Sequence, residues 1–406
     1  MKKKVGVIFG GESVEHEVSI ISALQAMNKM DEEKYDIIPI YMTKDREWYT
    51  GDMLKDVDSY KDIDLLKRYA TNVVLYYENG KYVLKKKGGL FNKVVNDIDI
   101  IFPITHGTNV EDGALQGYFQ TIGIPYVGPN VYAGVVGQDK VYMKCIFEHE
   151  KLPMTKFEWF YDSDYNDDKE AVLKKLKSLK FPVIVKPATT GSSVGISTAE
   201  NEKELEKAID EAIEYDSKIL VEEMVKNLKE VNISVLGNYE SQKLSEIEEV
   251  LSADKFLTYA EKYLGNSKVK GGVKAPAKPA KGGMANASRK IPADLTKEER
   301  KDVEEIAIKA FKALGSSGVC RIDFLVDDKA KKVYINEINS IPGSLAFYLW
   351  EPKGKSYSEL LDDMINIGYK SYKKRESKTY SFKSNILSNY KANGVKGAKG
   401  KLGGVK

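Results

Sequence analysis

A short apolar run, Val5 to Phe9, stops at Gly10-Gly11 and gives way to a segment in which Val18, Ile21, Leu24 and Met27 recur every three residues. The run reads as a strand and the glycine pair as its turn. The recurrence is one face of a helix, predicted over 18–30. A second apolar strand follows at 37–41. Strand–helix–strand alternation argues for a parallel α/β domain. Short strands fill 45–95, with turns at Glu78-Asn79-Gly80 and Lys87-Gly88-Gly89. A strand at 97–104 ends in Thr105-His106-Gly107, and a helix over 113–121 and a strand at 125–127 close the unit. Such sheets carry their sites at the carboxyl ends of the strands, where Gly10-Gly11 and His106 fall.

The next stretch has its own order of elements. A helix is predicted over 139–151 and a strand at 181–186, which runs into Thr189-Thr190-Gly191-Ser192-Ser193-Val194-Gly195. A helix over 202–214 and strands at 218–223, 232–236 and 243–250 follow. A long helix within 294–315 is capped at Asp294 or Thr296, with Glu298 and Glu299 in its first turn. Segments 319–326 and 332–338 read as an antiparallel pair. A chain of 406 residues has room for two to three domains, and 42% apolar residues exclude disorder along its whole length. No apolar run approaches the roughly 18–20 residues of a membrane span. Two cysteines, Cys145 and Cys320, make neither a disulfide framework nor a zinc cluster. A cytoplasmic protein with reduced thiols is expected, with His16 and His149 on its surface.

The net charge of +3 is unevenly spread. Segments 265–290 and 377–406 each carry seven cationic side chains and no acid, which leaves the rest of the chain acidic. Both are rich in Gly, Ala, Ser and Lys and read as a solubilising loop and tail. A single-strand nucleic-acid binder interleaves aromatics with its charges, and 265–290 has none.

Three groups of residues carry chemistry. Lys186 ends a strand ahead of a glycine- and hydroxyl-rich loop, an arrangement that lays an ammonium and backbone N–H groups on a polyphosphate. Side chains two apart on a strand share a face, so Arg321 and Asp323 are co-facial, as are Glu337 and Asn339. A loop around 328–331 brings the pairs together. Two carboxylates and an amide oxygen are hard ligands suited to Mg²⁺ that also holds nucleotide phosphates. Gly10 to Ser19 and His106 to Gly113 bring acids and a His to strand ends. There Glu15 is placed to grip an ammonium and His106 a carboxylate.

In order along 5–342, Gly-Gly-x-Ser-x-Glu-x-Glu-Val-Ser, His-Gly-x-x-x-Glu-Asp-Gly, Lys-Pro-x-x-x-Gly-Ser-Ser-x-Gly and Arg-Ile-Asp with Asn-Glu-x-Asn-x-x-Pro-Gly appear in register. Together they resemble the D-alanine–D-alanine ligase family of the ATP-grasp superfamily. The resemblance implies an α/β and α+β chain, an ATP-grasp fold behind an N-terminal parallel α/β (Rossmann-like) domain. Its parts are 1–129, 130–217 and 218–376, with a flap at about 251–290 and a basic tail at 377–406. It implies ATP and two Mg²⁺ ions, with Mn²⁺ as a substitute, and small amino acids as partners, no membrane and often a homodimer.

By the same resemblance Lys140 and Lys186 contact ATP phosphates, Glu222 and Met224 lie in the adenine hinge, and Glu230 takes the ribose. Asp323, Glu337 and Asn339 hold the metals. Glu15 orients the first ammonium, latched by Ser192 and Tyr263, and Lys262 on the flap meets the transferring phosphate. Arg321 with the Gly343 N–H stabilises the oxyanion. The expected product is D-alanyl-D-alanine for peptidoglycan, made through an acyl phosphate. After Gly343 the family usually continues Phe/Met-Thr-x-x-Ser. Here Ser344-Leu345-Ala346-Phe347-Tyr348-Leu349 places Tyr348 and Leu349 where the second substrate's carboxylate is bound. D-serine, a hydroxy acid or another small amino acid therefore stay open as acceptors. A different carboxylate–amine ligase of the superfamily, and a nucleic-acid binder using the Lys-rich segments, are the competing readings.

Overall fold

The computed structural model describes residues 2–88, 93–251 and 289–382. Strands β1 (Lys3–Gly10) and β2 (Tyr35–Met42) flank helix α1 (His16–Met27). Next come β3 (Trp48–Thr50), α2 (Ile63–Tyr69), β4 (Thr71–Glu78), β5 (Lys81–Lys86), β6 (Val94–Ile98) and β7 (Ile100–Pro103). These seven strands form one sheet in the order β6-β5-β4-β3-β2-β1-β7. Strands β2, β1 and β7 are parallel, as the alternation predicts, and the pairs within the 45–95 stretch and to β2 are antiparallel. Between β4 and β5 the reversal is the expected turn: Asn79 and Gly80 both take positive φ, the geometry of a two-residue hairpin.

Helices α3 (Ala114–Ile122), α4 (Val131–Gln138) and α5 (Lys140–His149) lead to β8 (Phe157–Tyr161). They are followed by α6 (Asp162–Asp167), α7 (Lys169–Leu176), β9 (Val183–Pro187), β10 (Ser197–Ala199), α8 (Glu202–Ile213) and β11 (Lys218–Glu223). A four-stranded sheet runs β10-β9-β11-β8. In it β11 pairs with both β8 and β9. Then come β12 (Leu228–Gly237), β13 (Gln242–Val250), β14 (Arg289–Lys290), α9 (Lys297–Ala313), β15 (Gly318–Asp327), β16 (Lys332–Asn339) and α10 (Tyr357–Glu376). The third sheet runs β14-β13-β12-β15-β16. Helix α9 starts on a capping box between Thr296 and Glu299, which satisfies two of its first N–H groups.

Two packings cross the linear divisions. Tyr357, Leu360, Leu361, Met364 and Ile365 of α10, with Leu345 and Leu349, share one core with Val5, Phe9, Ile20 and Leu24. Met143 and Phe147 of α5 join the core of the third sheet with Phe311 and Ile322. The C-terminal helix thus covers the first sheet, and the site lies where all three sheets meet. Among the described residues no helix is long and apolar enough to cross a membrane.

Candidate active site

A cavity of about 680 Å³ opens between the sheets. It is walled by nearly every predicted residue that the structure describes: Glu15, His106, Lys140, Lys186, Ser192, Glu222, Met224, Glu230, Arg321, Asp323, Glu337, Asn339, Gly343 and Tyr348. Lys262 and Tyr263 lie outside the described residues.

Glu15 precedes α1, just beyond the carboxyl end of β1. Its carboxylate accepts a hydrogen bond from the Ser192 hydroxyl. Two glycines make room for it. A Cβ on Gly107 would stand 2.9 Å from Glu15 Oε2, and on Gly191 2.5 Å. Both are closer than a real Cβ comes, so a side chain at either position would displace the Glu15 carboxylate.

Lys186 ends the buried strand β9. Its Nζ pairs with Glu222 Oε1 at 2.7 Å and reaches Asn336 Oδ1 at 3.3 Å. Burial alone would push this ammonium down, but Glu222 and Glu337 outweigh it, and the lysine titrates above its ordinary value. Lys140 donates to Thr190 O at 2.7 Å and lies 3.9 Å from Glu337 Oε2. Glu222 does not offer its carboxylate to an open space. It is 1% exposed, paired also with Lys144 at 2.7 Å, and accepts from Thr155 Oγ1. Burial raises its pKa, yet the two lysines override that and hold the carboxyl well below the usual range. Lys144 escaped the sequence reading. Its signal is a lysine one turn after Lys140 on the face of α5 that buries Val141 and Phe147.

The β15–β16 hairpin pairs Arg321 with Asn339 and Asp323 with Glu337, as the two-residue spacing predicts. The register then shifts by one, and Asn336 is the extra residue of a bulge, turned toward Lys186. Arg321 forks onto Asp323 through Nε at 2.7 Å and Nη2 at 2.8 Å, and Asn339 Nδ2 donates to the same carboxylate at 3.1 Å. Two carboxylates and an amide oxygen on one face, beside two lysines that suit phosphate, fit Mg²⁺. Among the described residues there is no cluster of three His, Cys, Asp or Glu.

His106 reaches the cavity wall, but both ring nitrogens are engaged: Nδ1 donates to Ile341 O at 2.8 Å and Nε2 meets Ser22 Oγ at 3.0 Å. Burial pushes this imidazole below its ordinary pKa. Ser22 Oγ also accepts from the Ser344 N–H. Glu111 accepts from Gly107 N, Ser340 Oγ and Ile341 N, and burial pushes it up to about 7. The two residues thus tie the Ile341–Gly343 turn to the first sheet.

Leu349 departs from expectation. It is 0% exposed in the core shared with α10 and does not line the cavity. His16, expected on the surface, is buried, with Nδ1 2.6 Å from Gly11 O and Nε2 3.0 Å from Tyr41 Oη. His149 is exposed as expected. Cys145 and Cys320 are both free.

Comparison with known proteins gives a consistent result. Residues 4–129 match the family described as D-ala D-ala ligase N-terminus, and 146–282 with 280–366 match D-ala D-ala ligase C-terminus. A D-alanine–D-alanine ligase of Thermosipho melanesiensis is 37% identical over 94% of this chain and 98% of its own. One of Clostridium acetobutylicum is 39% identical over 90% and 98%. Among solved structures, the Coxiella burnetii D-alanine–D-alanine ligase superposes with a TM-score of 0.75 at 28% identity, covering 92% of this chain and 96% of that one. The VanG D-Ala:D-Ser ligase of Enterococcus faecalis does so with 0.73 at 28%, covering 91% and 100%.

Proposed function

Because this chain belongs to the D-alanine–D-alanine ligase family, we propose that it joins two molecules of D-alanine, driven by ATP, to supply peptidoglycan precursors. The observation that carries the reading is the placement of Asp323 opposite Glu337, on the face that Lys140 and Lys186 approach. Side chains on opposite faces of the hairpin would have broken the site apart.

In this reading Lys140 and Lys186 hold ATP phosphates. The adenine lies along the strand end at Met224, and Glu230 takes the ribose. Asp323, Glu337 and Asn339 would hold two Mg²⁺ or Mn²⁺ ions, which would supply positive charge to neutralise the phosphates. The ammonium of the first D-alanine sits on Glu15, oriented by Ser192. A carboxylate is a poor electrophile. Its oxygen attacks the γ-phosphorus, ADP leaves, and the resulting acyl phosphate carries a good leaving group. The neutral amine of the second D-alanine attacks that carbonyl, Arg321 and the Gly343 N–H steady the oxyanion, and phosphate departs with the proton the amine loses as the amide forms. Water must be kept out, because it hydrolyses the same intermediate. Lys262 and Tyr263 belong to this closure by resemblance. The reading also carries a cytoplasmic location and a homodimer.

Phosphate release from ATP with each common D- and L-amino acid tests the reading. Release with D-alanine, accompanied by D-alanyl-D-alanine, is expected. Release only with an unrelated pair would move the assignment to another carboxylate–amine ligation.

A further inference from the structure

We propose that Lys144 is a positioning residue for ATP: it offsets the charge of Glu222, so that Lys186 keeps its own positive charge for the phosphates. The inference rests on the ligase reading above, in which Lys186 holds ATP.

Lys144 lies on α5 and is 2% exposed. Its Nζ stands 2.7 Å from Glu222 Oε2 and 5.5 Å from the centre of the Phe157 ring. The same carboxylate oxygen accepts from Thr155 Oγ1 at 2.8 Å. The other oxygen, Oε1, pairs with Lys186 at 2.7 Å. One carboxylate is thus divided between two ammonium groups, an oxygen to each. Lys186, Glu222 and Thr155 wall the cavity, and Lys144 is not among its walls. Lys144 therefore acts on a nucleotide through Glu222, from behind it.

Packing alone gives no reason for a lysine here, because burying an ammonium is costly unless an anion meets it. Burial lowers the pKa of Lys144, and the pull of Glu222 opposes that. The charge count supplies the reason. Glu222 and Lys186 by themselves make a neutral pair, which attracts phosphate only weakly. With Lys144 on the far oxygen the three groups sum to +1. Glu337 and Glu230 also act on Lys186 through space, so its charge is already in demand before any phosphate arrives. Lys144 and Thr155 hold Oε2 together and so fix the plane of the carboxylate. Lys186 then meets Oε1 from one direction, at the carboxyl end of β9, where the glycine- and hydroxyl-rich loop begins.

The test compares Lys144→Met with the double variant Lys144→Met/Glu222→Gln. Methionine keeps much of the length of the side chain and removes its charge. The second change removes the carboxylate which that charge offsets. Each variant is read as the KM for ATP at saturating D-alanine and the KM for D-alanine at saturating ATP, neither of which depends on how much of a preparation is folded. Lys144→Met should raise the KM for ATP at least about tenfold, as loss of a unit charge close behind a phosphate site does at an effective dielectric of about 20, and should move that for D-alanine less than about twofold. The double variant should return to within about threefold of the wild type, because Lys186 again stands as a single positive charge, a recovery that a space-filling role would not give. An unchanged KM for ATP in Lys144→Met, or a double variant outside that limit, overturns the role of Lys144. Where Lys144→Met does not fold, the double variant decides by the same limit. A wild type that forms no dipeptide from ATP and D-alanine overturns the ligase reading and this inference with it.

Discussion

The carboxylate of Glu111 accepts from Gly107 on one side and from Ser340 and Ile341 on the other, so a single side chain joins the first sheet to the turn that carries Gly343. Burial, with Glu15 nearby, raises it from 4.5 to about 7. A raised acid stabilises the fold below its unfolded pKa and loses that contribution as pH rises through the folded one. Stability is therefore expected to fall by about 3 kcal/mol between roughly pH 4.5 and 7, at about 1.4 kcal/mol per pH unit. In Glu111→Gln that slope should flatten, as read by denaturant unfolding at a series of pH values. Glu222 acts in the opposite window: its depressed pKa gives stability that is lost only as pH falls below the ordinary carboxylate range. Asp323 and Glu337 were legible in the sequence because strand alternation fixes which side chains share a face. Arg289 was not, because nothing in a Lys-Gly-Ala segment says that this one cation turns toward the cavity.

At the scale of elements, the turn after Pro342 is unusual. Ser344, Leu345 and Ala346 all adopt left-handed backbone, with φ of 52°, 52° and 50°. Each costs roughly 1–2 kcal/mol for a residue with a side chain. The surroundings offset that: Leu345 and Ala346 are 0% exposed, and the Ser344 N–H is held by Ser22. Strain of this kind collects where geometry must be held for function, here between Gly343 and Tyr348. A β-branched residue fits such backbone worst. Ala346→Val should destabilise by at least about 2 kcal/mol through strain and overpacking, measured by denaturant midpoint. Unfolding at the wild-type midpoint would show that the turn is not strained as described. The Asn79-Gly80 hairpin and the Thr296 cap were readable locally, since each depends on two or three neighbouring residues. The left-handed turn was not, because none of its three residues is a glycine and only packing imposes it.

Across the whole molecule, the first sheet is completed by α10. Residues of α10 and of 345–350 bury Val5, Phe9 and Ile20. A fragment of residues 2–128 should therefore lack a fixed core on that face, showing weak near-ultraviolet dichroism, no cooperative unfolding and a tendency to associate. A monomeric fragment that unfolds cooperatively would refute this coupling. It also explains why residues far apart in the chain reach one cavity: His106 and Glu111 grip Ile341, and Glu15 meets Ser192. The sequence by itself determined the strands and helices around the motifs, the shared face of the two carboxylates and the family, because all of these depend on spacing along the chain. Only tertiary structure decided that His106 is buried with both ring nitrogens engaged, that Glu222 serves two lysines and that Leu349 belongs to the core. It also decided that Arg289 faces the site. Charge state and exposure depend on which distant groups exclude water from a side chain, and spacing carries no record of them.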